Sequence, residues 1–231
     1  MNYSSIVKGR FLSRPNRFIA HIEVNGQQIT AHVKNTGRCR ELLLPGAEVI
    51  LQYHPDAEAL GRKTAYSLIG VYKELESGER ILINMDSQAP NQVAYEWMSG
   101  FPGMAGLRRE VTFGQSRFDL AFEAEGKAGF MEVKGVTLEN RGIARFPDAP
   151  TERGVKHLHE LIHAAEEGYE AGVLFVIQMK GVHVFQPNVD THPEFAAALK
   201  EADRAGVRVL AYDCLVTEDT LRIDQPVAVE L

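Results

Sequence analysis

Cysteine is almost missing from this chain: Cys39 and Cys214 are the only two, far apart and without a CxxC spacing. That excludes a disulfide framework and a cysteine-built zinc site, and it suits a reducing compartment. Long apolar runs are missing too. The longest, VLFVI, is far short of the ~20 residues a spanning helix needs, and the opening MNYSSIVKGRF lacks a signal-peptide core. No internal repeat or low-complexity segment interrupts the chain. The expectation is a cytoplasmic protein with no membrane partner.

What is present is ordinary globular material: 231 residues, 45% apolar and 24% charged, enough for one large domain or two smaller ones. The net charge of -6 is unevenly spread. Residues 1–50 hold seven bases against three acids, whereas residues 161–231 hold five against twelve. Phosphate binding depends on local positive surface, so an acidic protein with a basic N-terminal segment remains compatible with DNA.

Residues 1–83 read as β-rich. RFIAHIEVNGQQITAHV is two alternating runs broken at Asn25-Gly26, a strong hairpin signal. AEVILQYHP, TAYSLIGVYKEL and ERILINM read as three further strands, and NTGRCRELLLPG as a turn with one helical turn. Five short strands of this kind suit an OB-like β-barrel. Near residue 84 the pattern changes. A helix is expected in DSQAPNQVAYEWMSG, then strands in EVTFGQSRFDLAFEAEGKAGFMEVKGVTL. Next come a long helix in DAPTERGVKHLHELIHAAEEGY, a strand buried on both faces in AGVLFVIQM, a helix in PEFAAALKEADRAG and a strand in VRVLAYDCLV. Strands alternating with helices make residues 84–231 an α/β domain with a mixed sheet, and the boundary is expected near 84–90.

The stretch GFMEVKGVTL carries the chemistry. Alternation puts Phe130, Glu132, Lys134 and Val136 on one face, Met131 and Val133 on the other. An isolated E-x-K is most often a solvated strand pair. Here the preceding hairpin arm supplies Asp119, and a register that brought it to Glu132 or Lys134 would gather two carboxylates and an amine; a one-residue slip would scatter them. Asp119 and Glu132, with the Val133 carbonyl, suit a hard divalent cation such as Mg²⁺ or Mn²⁺. Lys134 could then orient a water or stabilise charge on phosphate, and Glu96 could add a further acid. The segment ENRGIARFPDAPTERGVKHL reads as a loop whose Arg141, Arg145, Arg153, Lys156 and His157 would ring the site, or would simply balance neighbouring acids. HELIH at 159–163 matches a zinc-protease pattern. The wheel places the apolar stripe on Val155, Leu158, Leu161, Ile162 and Ala165, leaving His159 and His163 about 100° and 140° from its centre. No zinc is expected.

FMEVKGVTL followed by RFPDAPTERGVKHLHEL closely resembles the sugar fermentation stimulation protein A family, as do RFLSRPNRFIAHIEV, AHVKNTGRCRELLLPG, SRFDL and VLFVIQM. The resemblance covers nearly the whole chain. It implies an N-terminal OB-like domain, a C-terminal domain similar to the PD-(D/E)xK nucleases, sequence-nonspecific DNA binding, and a role in regulating sugar (maltose) metabolism. On that pattern Asp119 matches the first acid, Glu132 and Lys134 the E-x-K pair, and Glu96 the helix acid; Arg117 also sits in a motif position. Met179 and His192-Pro193 depart from the family pattern without touching that set. In the N-terminal domain Arg14, Arg17, Arg38 and Arg40 are the DNA-binding candidates, ahead of Phe11, Phe18 and Tyr53. Two alternatives stay open, an active Mg²⁺-dependent nuclease and a protein-interaction module with incidental nucleic-acid affinity. The oligomeric state is not legible.

Overall fold

The computed structural model describes residues 1–35 and 37–231. The first six strands are β1 (Ile6–Asn16), β2 (Ile19–Val24), β3 (Gln27–Val33), β4 (Glu48–Tyr53), β5 (Tyr66–Glu74) and β6 (Arg80–Asn84). They form a sheet in the order β3-β2-β1-β4-β5-β6, and an added parallel pairing of β3 with β5 closes β1 to β5 into an OB-like barrel. The expected hairpin is β2–β3: Asn25 and Gly26 have φ of 51° and 77°, the left-handed pair that a two-residue turn requires. Alternate side chains Ala20, Ile22, Val24, Ala31 and Val33 point into the barrel. Where it is described, NTGRCRELLLPG forms turns, one of them a single helical turn closed by the Leu43 N–H donating to the Cys39 carbonyl at 3.0 Å.

β1 was not legible as a strand, because one of its inward positions is a glycine. A Cβ on Gly9 would lie 2.5 Å from Ile22 Cγ2 and 2.9 Å from the Glu23 carbonyl, so only glycine admits β2 at this spacing. The apolar alternation is therefore interrupted at a point where the two strands lie close together.

After β6 come α1 (Ala89–Ser99), β7 (Met104–Phe113), β8 (Ser116–Ala124), β9 (Lys127–Val136), β10 (Leu138–Asn140), β11 (Ile143–Phe146), α2 (Glu152–Glu166), β12 (Glu170–Ile177), β13 (Val184–Pro187), α3 (Pro193–Arg204), β14 (Arg208–Val216), β15 (Leu221–Pro226) and β16 (Ala228–Val229). The large sheet runs β15-β14-β12-β9-β8-β7. Its centre, β14-β12-β9, is parallel, while β8, β7 and β15 pair antiparallel. The mixed sheet is as the alternation of elements implied. Helices α2 and α3 cover one face and α1 the other, which is why Val173 to Ile177 are buried without alternation.

The segment read as a basic loop is instead a hairpin, β10–β11, turning at Arg141 and Gly142 (φ 53° and 77°). With β13 and β16 it makes a second small sheet. Strands of three and four residues are too short for a period to register.

The barrel and the large sheet are joined by buried polar groups. Gln178, just beyond β12, donates through Nε2 to Asn84 Oδ1 (2.9 Å) and to the Asp86 carbonyl (3.1 Å). Asn84 N–H donates to the Gln178 carbonyl (2.9 Å), and Asn84 Nδ2 to the Tyr3 hydroxyl (3.0 Å). Lys34 reaches Asp86 at 3.0 Å, and Lys73 of β5 donates to both the carbonyl and the carboxylate of Glu139 in β10.

Candidate metal centre and nucleic-acid interface

The β8–β9 ladder stops at Leu120–Met131. Beyond it the strands part, and the half-buried Asp119 side chain enters the gap. Its Oδ2 accepts the Val133 N–H at 2.8 Å, and its Oδ1 accepts Asn91 Nδ2 from α1 at 2.6 Å. An extended residue turns its N–H and C=O to the same strand edge, so the Val133 carbonyl faces the same gap.

Glu132 lies on the opposite side of β9 from Met131 and Val133, towards α2, as alternation requires. Only 3% of its side chain is exposed. Lys134 Nζ donates to Oε1 at 2.5 Å, and His157 Nδ1 of α2 makes a short contact with the same oxygen. Among the described residues Oε2 is buried with no hydrogen-bond partner. Burial pushes the Asp119 carboxyl up from its ordinary value, and the like charge of Glu132 adds to this against the Val133 N–H, Lys134 and Asn91. For Glu132 burial acts in the same upward direction, but His157 and Lys134 outweigh it and hold the carboxyl below its usual range. The neighbouring acids are thus driven apart, Glu132 towards the anion and Asp119 towards the proton.

A buried carboxylate oxygen with no donor, beside a second acid raised by its surroundings, is a place where positive charge is under-supplied. A divalent cation fits that deficit. No three His, Cys, Asp or Glu side chains among the described residues are grouped to hold a metal. The candidate donors here are two carboxylates and a backbone carbonyl, oxygen ligands of the kind a hard divalent cation takes when waters complete its shell.

Several expected residues stand elsewhere. Glu96 faces away from Asp119: it binds the Met1 ammonium at 2.7 Å and Gln92 at 2.6 Å, and Asn91 is the α1 residue that reaches the site. Arg14 is half-buried, and its guanidinium is taken up by the backbone. Its guanidinium donates to the carbonyls of Gly37 (2.9 Å), Arg38 (2.8 Å), Arg17 (2.7 Å) and Asn35 (2.7 Å). His157, expected among exposed phosphate-binding groups, is buried on Glu132. The buried stripe of α2 is Gly154, His157, Leu158, Leu161 and Ala164, turned by about one residue from the expected one, with Val155, Ile162 and Ala165 only partly buried. His157, Leu161 and Ala164 follow an i, i+4, i+7 spacing that already marks the histidine as inward. His159 and His163 are 56% exposed, near Glu201 and Glu167 on the outer side of α2.

Arg17, Arg38 and Arg40 are exposed on the barrel. Arg117 pairs with Glu110 and Arg141 with Glu76, while Arg153 and Lys156 stand exposed on the first turns of α2. Arg145 donates to Gln186 at 3.2 Å. It also lines a cleft of about 90 Å³ with Asn35, Ser87, Thr137 and Asp148, where barrel and large sheet meet at the end of β9. A Cβ on Gly37 would fall 2.3 Å from Asp148 Oδ2, so the chain beside Arg38 abuts the segment leading into α2. Phe11 is core, whereas Phe18 is 53% exposed and Tyr53 37%.

Fold and site together define a protein with an OB-like barrel joined to a mixed-sheet domain that holds an acid pair and a lysine on adjacent strands. Family models match both parts, "SfsA N-terminal OB domain" over residues 12–85 and "Sugar fermentation stimulation protein RE domain" over residues 88–220. The chain belongs to the sugar fermentation stimulation protein family. It is 55% identical over 233 residues to a homolog from Desulfitobacterium hafniense (strain Y51), covering 100% of this chain and 99% of that one. A homolog from Clostridium beijerinckii is 53% identical over 226 residues, covering 96% of each. Among solved structures, Pyrococcus furiosus SfsA in complex with Ca²⁺ superposes with a TM-score of 0.85 at 28% identity, covering 100% of this chain and 98% of that one.

Proposed function

We propose that this is a sequence-nonspecific DNA-binding protein of two domains, divided near residues 84–90, whose second domain carries a divalent-metal site of the phosphodiester type. The observation that carries the reading is the unpartnered Oε2 of Glu132, buried beside Asp119 and Lys134. Asp119, Glu132 and the Val133 carbonyl would hold Mg²⁺ or Mn²⁺; the solved relative in complex with Ca²⁺ supports a divalent ion of this kind. Such an ion, when bound, polarises a phosphoryl oxygen and lowers the pKa of its water. Lys134 then places a positive amine where phosphate charge develops or a water is oriented. Arg17, Arg38 and Arg40 on the barrel supply phosphate contacts, with Arg117, Arg141, Arg145, Arg153 and Lys156 on the second domain. A regulatory effect on sugar use would follow from occupying DNA.

Lys134, only 15% exposed, favours the second reading, an active nuclease, because a desolvated amine beside an acid pair is more than phosphate contact requires. One experiment separates these readings. Labelled single- and double-stranded DNA is incubated with the protein in Mg²⁺, in Mn²⁺ and in chelator, beside Glu132→Gln and Lys134→Ala. Metal-dependent cleavage lost in both variants establishes the nuclease. Binding with a steep salt slope, unchanged in both variants and without cleavage, establishes the binder. A shallow slope overturns both in favour of a protein-interaction module.

A further inference from the structure

Glu132 has four features that no phosphate-facing role explains: it is buried, both donors crowd one oxygen, the other oxygen has none, and one donor is a histidine from a different element. The histidine has a partner of its own. Arg153, one turn earlier on α2, donates its Nε–H to His157 Nε2 at 3.3 Å. A guanidinium has no acceptor, so Nε2 must accept and the ring proton sits on Nδ1, aimed at Glu132 Oε1. Both ends of the imidazole are therefore used. Its ring packs edge-on to Phe118 with centroids 6.4 Å apart, and Leu158 beside it is fully buried, so the ring is held as well as bonded.

We propose that His157 is the positioning residue of the metal centre: oriented by Arg153, it pins Oε1 of Glu132 with Lys134 so that Oε2 alone is presented to the cation. This rests on the cation reading of the Asp119–Glu132 pair. A carboxylate free to rotate would offer either oxygen, or chelate through both, and would lose entropy on capture. A carboxylate fixed through Oε1 binds through one predetermined atom, and the other end of the tether is α2, whose first turns carry the exposed Arg153 and Lys156. Arg153 then serves the site from behind the histidine in addition to any phosphate it meets.

The test is a calorimetric titration of Mn²⁺ into the full-length chain and into three variants. Glu132→Gln should abolish binding. His157→Phe, which keeps a ring but removes the donor, should weaken it by about 10–100-fold. His157→Asn, whose amide N–H falls near the Nδ1 position, should recover most of that loss, which a merely structural role would not produce. If His157→Phe binds Mn²⁺ as the natural chain does while Glu132→Gln does not, the positioning role is overturned and the cation site stands. If Glu132→Gln and the natural chain are indistinguishable, the cation site falls and takes this role with it. Nitrogen-15 NMR of the natural chain gives an independent check. A His157 ring carrying its proton on Nε2 overturns the proposal however the variants fold.

Discussion

Asp119 Oδ2 accepts the Val133 N–H at 2.8 Å where the ladder between their strands has ended. The carboxylate takes the place of a rung, and in doing so is held near Glu132 with its carboxyl raised by burial and by that second acid. An acid raised in the folded state contributes stability that is complete below its unfolded value, near pH ~3.9, and is lost as pH rises through the folded one. Asp119→Asn keeps an acceptor for Val133, while Asn91 turns its amide over. In chelator it should therefore melt higher than the natural chain at neutral pH, with the difference shrinking as the pH is lowered to about 4. Thermal melts at the two pH values check this. A lower melting temperature for the variant at neutral pH would show that the charge is stabilising there.

Arg14 and Arg17 are three residues apart and should respond differently. Arg14→Ala strips four carbonyls of their donor, and at roughly 1 kcal/mol net for each partly solvated bond the chain should lose about 2–4 kcal/mol in urea unfolding. Arg17→Ala should leave stability within about 0.5 kcal/mol. It should also reduce the slope of log affinity against log salt for DNA by about 1. Equal stability losses would mean that the carbonyl cage is not formed in solution.

Lys73→Met removes the donor that the barrel lends to Glu139, whose side chain is 3% exposed. One carboxylate oxygen keeps the Gly142 N–H at 2.7 Å, but the charge is left without a counter-ion. The expected loss is about 3 kcal/mol, read from urea unfolding. Glu139→Gln in the same background should recover part of it, and no recovery would assign the loss to packing of the lysine stem.

Cys39 and Cys214 are buried, at 2% and 0% exposure, and burial pushes the Cys39 thiol up to about 12 and the Cys214 thiol higher still. A thiol reagent at pH 8 should label neither in the native chain and both in denaturant. Rapid native labelling of either would show that its surroundings open.

The elements with strong local signals were legible in the sequence: the hairpin at Asn25-Gly26, the doubly buried run Val173 to Ile177, and the long helix beginning after Thr151, whose hydroxyl accepts the Gly154 N–H at 3.1 Å. β1 was lost because Gly9 occupies an inward slot. The sharing of a face by Glu132 and Lys134 followed from strand alternation, but the gap that admits Asp119 is a break in regular pairing, and alternation cannot register a break. Arg14 and Arg17 look alike in sequence, since three of the four carbonyls that enclose Arg14 come from a chain segment some twenty residues distant. Asn91 displaced Glu96 at the site because helix position, rather than charge, decides which side chain reaches the strand gap.

The hydrogen bonds joining Gln178 to Asn84 and Asp86 are directional and buried, so the barrel and the large sheet meet at a set angle. The separation between the barrel arginines and Lys134 is consequently a property of the fold rather than of a hinge. A polymer that touches both must supply the compliance itself. On the DNA-binding reading proposed above, flexible or readily kinked strands would seat at less cost than stiff ones, so ligands would be ranked by how easily they bend.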